Sequence, residues 1–224
     1  MKKTILIAIT AFVCIQLNAQ KKWIPLFDGK TTAGWHTYGE KKVGAAWKVV
    51  DGTITLDPSI KEGRGDIVTD ESFNDFQLEL EWKISKNGNS GIIFFVQDDK
   101  TKYDYVWSTG AEMQVLDNDG HSDGKITKHR AGNLYDLMAG PEGIAKPVGE
   151  WNKAVIIHEK GKLTLMLNDV ITATTTLGDE SWNALVKQSK FRNSDVFAKT
   201  FSGHISLQDH GDAVWYRNIR IRKL

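Results

Sequence analysis

Alternating apolar and polar residues predict strands along most of this chain. In Phe76–Ile84, F-Q-L-E-L-E-W-K-I, every second residue is apolar, so one side of the strand packs inward and the other meets water. Asp51-Gly52 lies between two β-branched runs and predicts a hairpin with a type I′ turn. Residues 91–97, G-I-I-F-F-V-Q, are apolar on both faces, which predicts a strand covered on each side. Residues 180–191 alone have apolar positions near the helical period and predict a helix.

Residues 151–176 add three more predicted strands, which turn at Lys160-Gly161 and at Asn168-Asp169. Short strands follow one another with a single helix between them, and the sequence has no internal repeat. This order predicts an all-β fold, a two-sheet antiparallel sandwich or jelly roll with one short helix.

The C-terminal residues predict two strands joined by a polar turn. In G-H-I-S-L-Q-D-H-G a period of two puts four polar side chains on one face: His204, Ser206, Gln208 and His210. Trp215, Ile219 and Ile221 then resume an inward phase. Arg217 falls in the same phase, so we expect a paired and partly buried arginine.

The N-terminal segment, residues 1–19, has the basic start, apolar run and small residue Ala19 of a secretory signal peptide. The mature chain is expected to begin near Gln20 and to form one domain over residues 20–224, in the periplasm or outside the cell. Cys14 then falls in the removed part, because the bulky residues before it do not suit a lipoprotein anchor. Disulfides and thiol catalysis would be excluded, and no later apolar stretch predicts membrane insertion.

Composition limits the partners of the protein. The 29 basic and 28 acidic residues are dispersed, so nucleic acid is not an expected ligand. Eight tryptophans give a heavy aromatic content, suited both to a sandwich core and to stacking on sugar rings. Trp82 is in phase with the apolar side of its strand and is expected in the core. Trp107 lies in the polar stretch Y-D-Y-V-W-S-T-G and is expected at the rim of a sugar site.

Candidate catalytic chemistry is concentrated in residues 111–136. In A-E-M-Q-V-L-D a period of two puts Glu112 and Gln114 on one face, and Asp117 follows at the strand end. A long polar segment then carries further candidates: His121, His129, Arg130, Tyr135 and Asp136. Long loops over a rigid sheet commonly hold binding groups. Taken singly, each of these residues is equally consistent with a solvated strand face or a polar turn.

The segment Asp117-Asn118-Asp119-Gly120 has some features of a calcium loop but not its spacing. His121 stands where a third oxygen ligand is expected, and no glutamate closes the loop. The sequence therefore defines no metal site. A divalent cation held by histidines and carboxylates stays open as an electrophile, and a turn capped by Asx side chains is the alternative.

Several segments resemble one known family. E-M-Q-V-L-D-N-D-G-H, H-R-A-G-N-L-Y-D-L and L-Q-D-H-G followed by Y-R-N-I-R-I are similar to signatures of the 3-keto-disaccharide hydrolase family. L-F-D-G-K-T with G-W, N-S-G-I and K-P-V-G-E-W-N also match, in the family's order and over the whole expected mature chain. The resemblance implies a concanavalin-like jelly roll and a secreted bacterial hydrolase of 3-keto glycosides or disaccharides.

A 3-keto sugar offers a route to bond cleavage that one base can start. The carbonyl acidifies the proton on carbon 2, its loss expels the group on carbon 1, and water adds back. The expected base is Glu112 or His210, and the expected acid is Tyr135 or His129. The expected substrate-binding residues are Gln114, Asp117, Arg130, Asp136, Gln208 and Trp107.

Two other functions remain open at this point. A conventional glycosidase would use Glu112 with a distant second carboxylate such as Asp136. Gln114 stands where related β-jelly-roll glucanases carry a further acid, and this breaks the usual pair. A non-catalytic, lectin-like carbohydrate-binding module is the other alternative, since a fold does not decide activity.

Overall fold

Residues 22–224 are described by a computed structural model, and they form the predicted two-sheet antiparallel β-sandwich. The strands in this part of the chain are β1 Ile24–Pro25, β2 Trp35–Thr37, β3 Trp47–Val50, β4 Thr53–Leu56, β5 Ile67–Thr69, β6 Phe76–Ile84, β7 Asn89–Val96, β8 Ala111–Leu116, β9 Asn152–Glu159, β10 Lys162–Leu167, β11 Val170–Thr176, β12 His204–Leu207 and β13 Val214–Lys223. The helix α1 is Glu180–Lys187, and short 3-10 turns lie at Val106–Ser108, Ser122–Lys125 and Thr127–His129. The predicted fold class is confirmed.

The two sheets differ in size and in what covers their outer faces. The larger sheet has the order β11-β10-β9-β6-β13-β4-β3, with β1 paired to β13, and the smaller has the order β2-β5-β12-β7-β8. The main core lies between them, and Met113 and Val115 of β8 point into it. Glu112 and Gln114 alternate with these residues and therefore face outward from the smaller sheet. That outer face is itself covered by loops, so β7 is buried at every position.

Strand β6 alternates between fully and partly buried residues over its whole length, as its sequence predicts. The hairpin between β3 and β4 also has the predicted form. Asp51 has φ 49° and Gly52 has φ 72°, the two positive values that a type I′ turn requires. Trp82 is 1% exposed, which confirms its expected place in the core.

Strand β13 departs from its predicted phase. Val214 and Tyr216 point inward, while Trp215 is only half-buried on the other face, so its predicted inward position is wrong. The reason is a β-bulge between Arg217 and Arg220, where Asn218 takes φ 54°. The bulge takes up one residue. Ile219 and Ile221 after it therefore point inward, as expected.

Arg217 is paired and partly buried, as predicted. Its Nε donates to Glu81 Oε2 at 2.6 Å, and its guanidinium lies 3.9 Å from the centre of the Trp151 ring. Helix α1 ends at Lys187, earlier than the predicted residue 191. Ser189 ends it locally, because its hydroxyl donates to Val186 O at 2.8 Å.

Among residues 22–224 no helix has the length and apolar character needed to cross a membrane. The predicted signal peptide, with Cys14, lies outside the described residues.

Candidate active site

A cavity of about 240 Å³ opens on the outer face of the smaller sheet. Its lining combines strand, loop and C-terminal residues: Asn89, Trp107, Glu112, Gln114, Tyr135, Lys190, Gln208 and His210. Glu112, Gln114 and His210 come together here although the sequence separates β8 from the C-terminal turn. The volume is below the range of about 300–1,000 Å³ usual for drug-sized ligands. It suits a single sugar ring.

Strands β7 and β8 form the floor of this cavity. Their antiparallel register sets Gly91 opposite Gln114 and Ile93 opposite Glu112. The Glu112 carboxyl lies over Gly91, where a Cβ atom would collide with Oε1. Gln114 Nε2 donates to Asn89 Oδ1 at 2.9 Å, which leaves the second amide hydrogen for a ligand.

Glu112 is 8% exposed, and this burial raises the pKa of its carboxyl to about 8. Lys190 opposes the rise, while the negative charges of Asp66 and Asp123 add to it. The pKa of Lys190 is lowered, chiefly because its amine is removed from water, although Glu112 opposes this change. The pKa values of the acid and the amine are therefore closer together than those of an exposed glutamate and an exposed lysine.

The C-terminal turn holds His210 at the cavity from both sides. Before His210, the Asp209 carboxylate accepts from Arg64 Nε at 2.7 Å and from Gly65 N at 2.8 Å. After it, Asp212 Oδ2 accepts from Asn89 N at 3.0 Å. A histidine in an exposed turn is thereby given a defined position.

Gln208 carries a feature that points to a ligand. Its backbone N donates to Gly91 O at 3.0 Å, which sets the side chain beside β7. Its Oε1 atom is buried and has no hydrogen-bond partner among residues 22–224. A buried acceptor without a donor destabilises the fold by about 1–3 kcal/mol, and a sugar hydroxyl would satisfy it.

The loop after β8 supplies Tyr135 and the group behind it. His129 lies between two carboxylates, with Nε2 3.1 Å from Asp136 Oδ1 and Nδ1 3.3 Å from Asp123 Oδ2. Its ring is 4.4 Å from that of Tyr135, centre to centre. Burial, then the charge of Asp123, raises the pKa of Tyr135, so the phenol keeps its proton. His129, the expected alternative acid, and Asp136, an expected substrate-binding residue, do not line the cavity and lie behind Tyr135.

Trp107 lies at the cavity rim and is 39% exposed. Its ring stacks on that of Tyr105, with centres 4.9 Å apart and an angle of 10° between the planes. The pair forms an aromatic surface of the kind that sugar rings contact.

The structure does not bring Asp117 and Arg130 to this cavity, contrary to the expectation from sequence. Asp117 caps a turn and accepts from Asn87 N at 2.7 Å and from Gly120 N at 3.0 Å. Arg130 pairs with Glu142 at 3.0 Å. Both line a separate cavity of about 590 Å³ beyond the end of β8. Asp117 lies one residue past the strand, so the alternation that places Glu112 and Gln114 no longer applies to it.

Sequence reasoning missed Lys190 and Asn89. Lys190 belonged to a predicted helix, where a lysine is expected on the solvated face. Asn89 precedes the predicted strand over residues 91–97, and the matching segment N-S-G-I gave the only signal for it.

The described part of the chain, residues 22–224, contains no group of three or more His, Cys, Asp or Glu side chains arranged to hold a metal ion. His121 and His210 approach each other, with ring centres 6.2 Å apart. The sequence left open a divalent cation held by histidines and carboxylates. Among the described residues, these two histidine rings come closest to such a set of ligands.

The antiparallel sandwich and its cavity, with a buried acid, amides and aromatic rings, are consistent with a protein that acts on carbohydrates. The chain belongs to the 3-keto-alpha-glucoside-1,2-lyase-like domain family, whose model matches residues 22–222. The predicted family and the prediction of a hydrolase are confirmed.

Individual relatives agree with this assignment. The 3-keto-disaccharide hydrolase of Bacteroides thetaiotaomicron is 37% identical over 227 residues, which cover 90% of this chain and 78% of that protein. A crystal structure from Parabacteroides distasonis, provisionally named a glycosyl hydrolase, is 29% identical with a TM-score of 0.81 and covers 90% of this chain and 94% of its own. A second such structure from the same organism is 25% identical with a TM-score of 0.70, covering 91% and 100%.

Proposed function

We propose that this enzyme cleaves the glycosidic bond of 3-keto-disaccharides and related 3-keto glycosides by elimination followed by hydration. The observation that carries the proposal is the composition of the cavity. Among its lining residues Glu112 is the single carboxylic acid. Asp136, the candidate second carboxylate, is held by His129 and by Lys190 N at 2.6 Å. A two-carboxylate glycosidase needs a second acid across the bond, whereas elimination needs one base.

Glu112 is the base of the proposed reaction. Its ionised form accepts the proton on carbon 2, and its raised pKa makes it a stronger base than an ordinary carboxylate. The electrons of that bond form a double bond between carbons 2 and 3, which gives an enolate with negative charge on the carbon 3 oxygen. The enolate then re-forms the carbonyl, a double bond forms between carbons 1 and 2, and the bond from carbon 1 to the leaving oxygen breaks. Lys190 and the free amide hydrogen of Gln114 supply the cation and donor that a developing enolate oxygen requires.

The leaving oxygen takes a proton from Tyr135 or His210, both of which line the cavity. Water then adds to carbon 1, and carbon 2 recovers a proton. Trp107 with Tyr105 contacts the part of the substrate outside the cavity, and Gln208 Oε1 accepts from a sugar hydroxyl. The proposed ligand is therefore a disaccharide or glycoside.

The test uses the mature protein with 3-keto and unoxidised forms of the same disaccharides in D₂O. We expect release of the second sugar from the 3-keto form alone, with deuterium on carbon 2 of the product beyond that of an enzyme-free control. Equal rates on both forms, without deuterium, would favour a conventional glycosidase. Binding without turnover of either form would favour a lectin-like module.

We also propose that residues 1–19 direct export and that residues 20–224 form the secreted or periplasmic domain. The basic and apolar N-terminal pattern supports export, and the family match over 22–222 supports the domain limits. Mass spectrometry of exported protein should show a chain that begins at Gln20. A lipidated chain that begins at Cys14 would contradict this.

A further inference from the structure

Lys190 is held more firmly than its place in a surface segment requires. Its backbone N donates to Asp136 Oδ2 at 2.6 Å. Phe191, the next residue, is buried and its ring stacks on that of Phe197, with centres 3.7 Å apart. The segment is thus fixed on both sides, and the lysine side chain enters the cavity from a defined point.

The amine of Lys190 lies among aromatic rings. Nζ is 4.2 Å from the centre of the Tyr135 ring, 5.1 Å from that of Phe191 and 5.8 Å from that of Trp107. The residue as a whole is exposed, but partial burial of its amine lowers the pKa of that amine. The ion pairs formed within residues 22–224 do not include Lys190. A lysine directed into a cavity without a carboxylate partner is unusual, because ammonium groups are strongly hydrated or paired.

A primary amine in this setting has a specific reaction with a ketone. We propose that Lys190 forms a Schiff base with carbon 3 of the 3-keto sugar, so that elimination proceeds through an enamine. The proposal rests on the function proposed above and changes one role in it: the iminium ion on Lys190, in place of the free ammonium, takes up the electrons released at carbon 2. Lysine amines that are desolvated in this manner are recognised nucleophiles toward carbonyl substrates.

The bonds and protons of this route balance. The lone pair of neutral Nζ forms a bond to carbon 3, and the ketone oxygen leaves as water after taking two protons, which gives an iminium ion. The proton on carbon 2 passes to Glu112, and the electrons form an enamine. The enamine expels the oxygen on carbon 1, which takes a proton. Water adds to carbon 1, carbon 2 is protonated, and a second water releases the 3-keto sugar and the free lysine.

Glu112 and Lys190 line the same cavity, and their chemistry suits both halves of this reaction. Burial raises the pKa of the acid and lowers that of the amine, and both shifts favour the neutral forms. The neutral amine attacks, and the neutral acid protonates the departing oxygen. Glu112 is then ionised and ready to accept the proton on carbon 2.

The test is reductive trapping. The mature protein is incubated with a 3-keto disaccharide and cyanoborohydride, digested, and examined by mass spectrometry. We expect irreversible loss of activity and a reduced sugar attached to the peptide that carries Lys190. The unoxidised disaccharide under the same conditions should leave that peptide unmodified. Absence of an adduct from a preparation that turns over the 3-keto substrate would overturn the Schiff base while leaving the proposed function intact.

Two conservative variants complete the experiment. Lys190→Arg keeps the positive charge but cannot form an imine, and we expect turnover to fall by about 10²-fold or more with an unchanged melting temperature. Lys187→Arg, at the end of α1 and outside the cavity lining, should behave as the wild type. Turnover in Lys190→Arg within a few-fold of the wild type would overturn the proposal. A wild-type protein that turns over no 3-keto substrate would contradict the function itself.

Discussion

Glutamates on the outer faces of the two sheets have opposite environments, since some are paired with arginines and one is buried without such a partner. On the larger sheet, Glu79 and Glu81 of β6 lie next to arginines of β13, with Arg220 Nη2 2.6 Å from Glu79 and Arg217 Nε 2.6 Å from Glu81. On the smaller sheet, Glu112 of β8 is covered by loops and has no arginine partner within residues 22–224. The ion pairs on the larger sheet neutralise the charge of these glutamates. Surface pairs of this kind contribute little to the stability of the fold, about 0–1 kcal/mol each.

This difference supports the proposal that the larger sheet is the scaffold and that the smaller sheet carries the catalytic residues. A carboxyl that is buried without a pairing group is unfavourable to folding. Its retention at the floor of a cavity is typical of a catalytic site, where pKa values are shifted for a task. The predictions below test this contrast between the two faces.

The largest expected effect is on turnover in Glu112→Gln. The amide keeps the shape of the side chain but cannot accept the proton on carbon 2, so turnover should fall by about 10²–10⁴-fold. Sugar affinity, measured by calorimetry, should change little. Glu79→Gln on the larger sheet is the matched control and should keep full activity. A comparable loss of turnover in both variants would contradict the proposed difference between the two outer faces.

The tryptophans of the two regions should divide in the same way. Trp82→Ala removes a side chain from the core and should lower the free energy of unfolding by about 3–5 kcal/mol. Trp107→Ala removes a rim contact and should weaken sugar binding with little change in stability. Chemical denaturation and calorimetry on both variants separate the outcomes. Reduced folding cooperativity with intact affinity in Trp107→Ala would reverse this assignment.

Gly91→Ala tests how β7 positions Glu112. The new Cβ would collide with Oε1, so the carboxyl must move. We expect about 10–100-fold slower turnover and a shifted acidic limb of the pH profile. Gly161→Ala, at a turn with φ 83° and open space, is the control for a purely structural cost. Its stability should fall by about 1 kcal/mol without a change in the pH profile.

The smallest expected effect is the dependence of stability on pH. The pKa of Glu112 is raised from 4.5 to about 8 in the folded state, so the folded protein binds the proton more tightly. This contribution is fully present below pH 4.5 and is lost as pH rises toward 8. Glu112→Gln should therefore become more stable than the wild type across this range, by roughly 1–3 kcal/mol at the alkaline end. Denaturant unfolding at several pH values checks this, and a gap that shrinks with rising pH would contradict it.

Local patterns in the sequence were sufficient to predict most of the fold. The alternation of β6 and the turn at Asp51-Gly52 depend on neighbouring residues, and the structure agrees with both. The predicted face of Trp215 was wrong because a β-bulge between Arg217 and Arg220 changes the phase of β13. A period of two cannot reveal where a strand gains a residue.

The candidate site residues that lie on or next to strands could be predicted from the sequence. Glu112, Gln114 and Gln208 follow from period two, and the structure groups them at one cavity. Lys190 lies beyond a helix that ends early, and its position depends on Asp136 and on the packing of Phe191. Such tertiary contacts have no local signature. The same holds for Arg130, whose partner Glu142 could not be foreseen.

The size of the cavity has a consequence for the range of compounds that this enzyme can use. In the proposed reaction the cavity of about 240 Å³ holds the oxidised ring, and the remainder of the substrate extends past Trp107 into solvent. Few residues of the protein then contact the leaving group. We expect one active site to accept many different glycosides that share the same oxidised ring, with the upstream oxidising enzyme setting the selectivity.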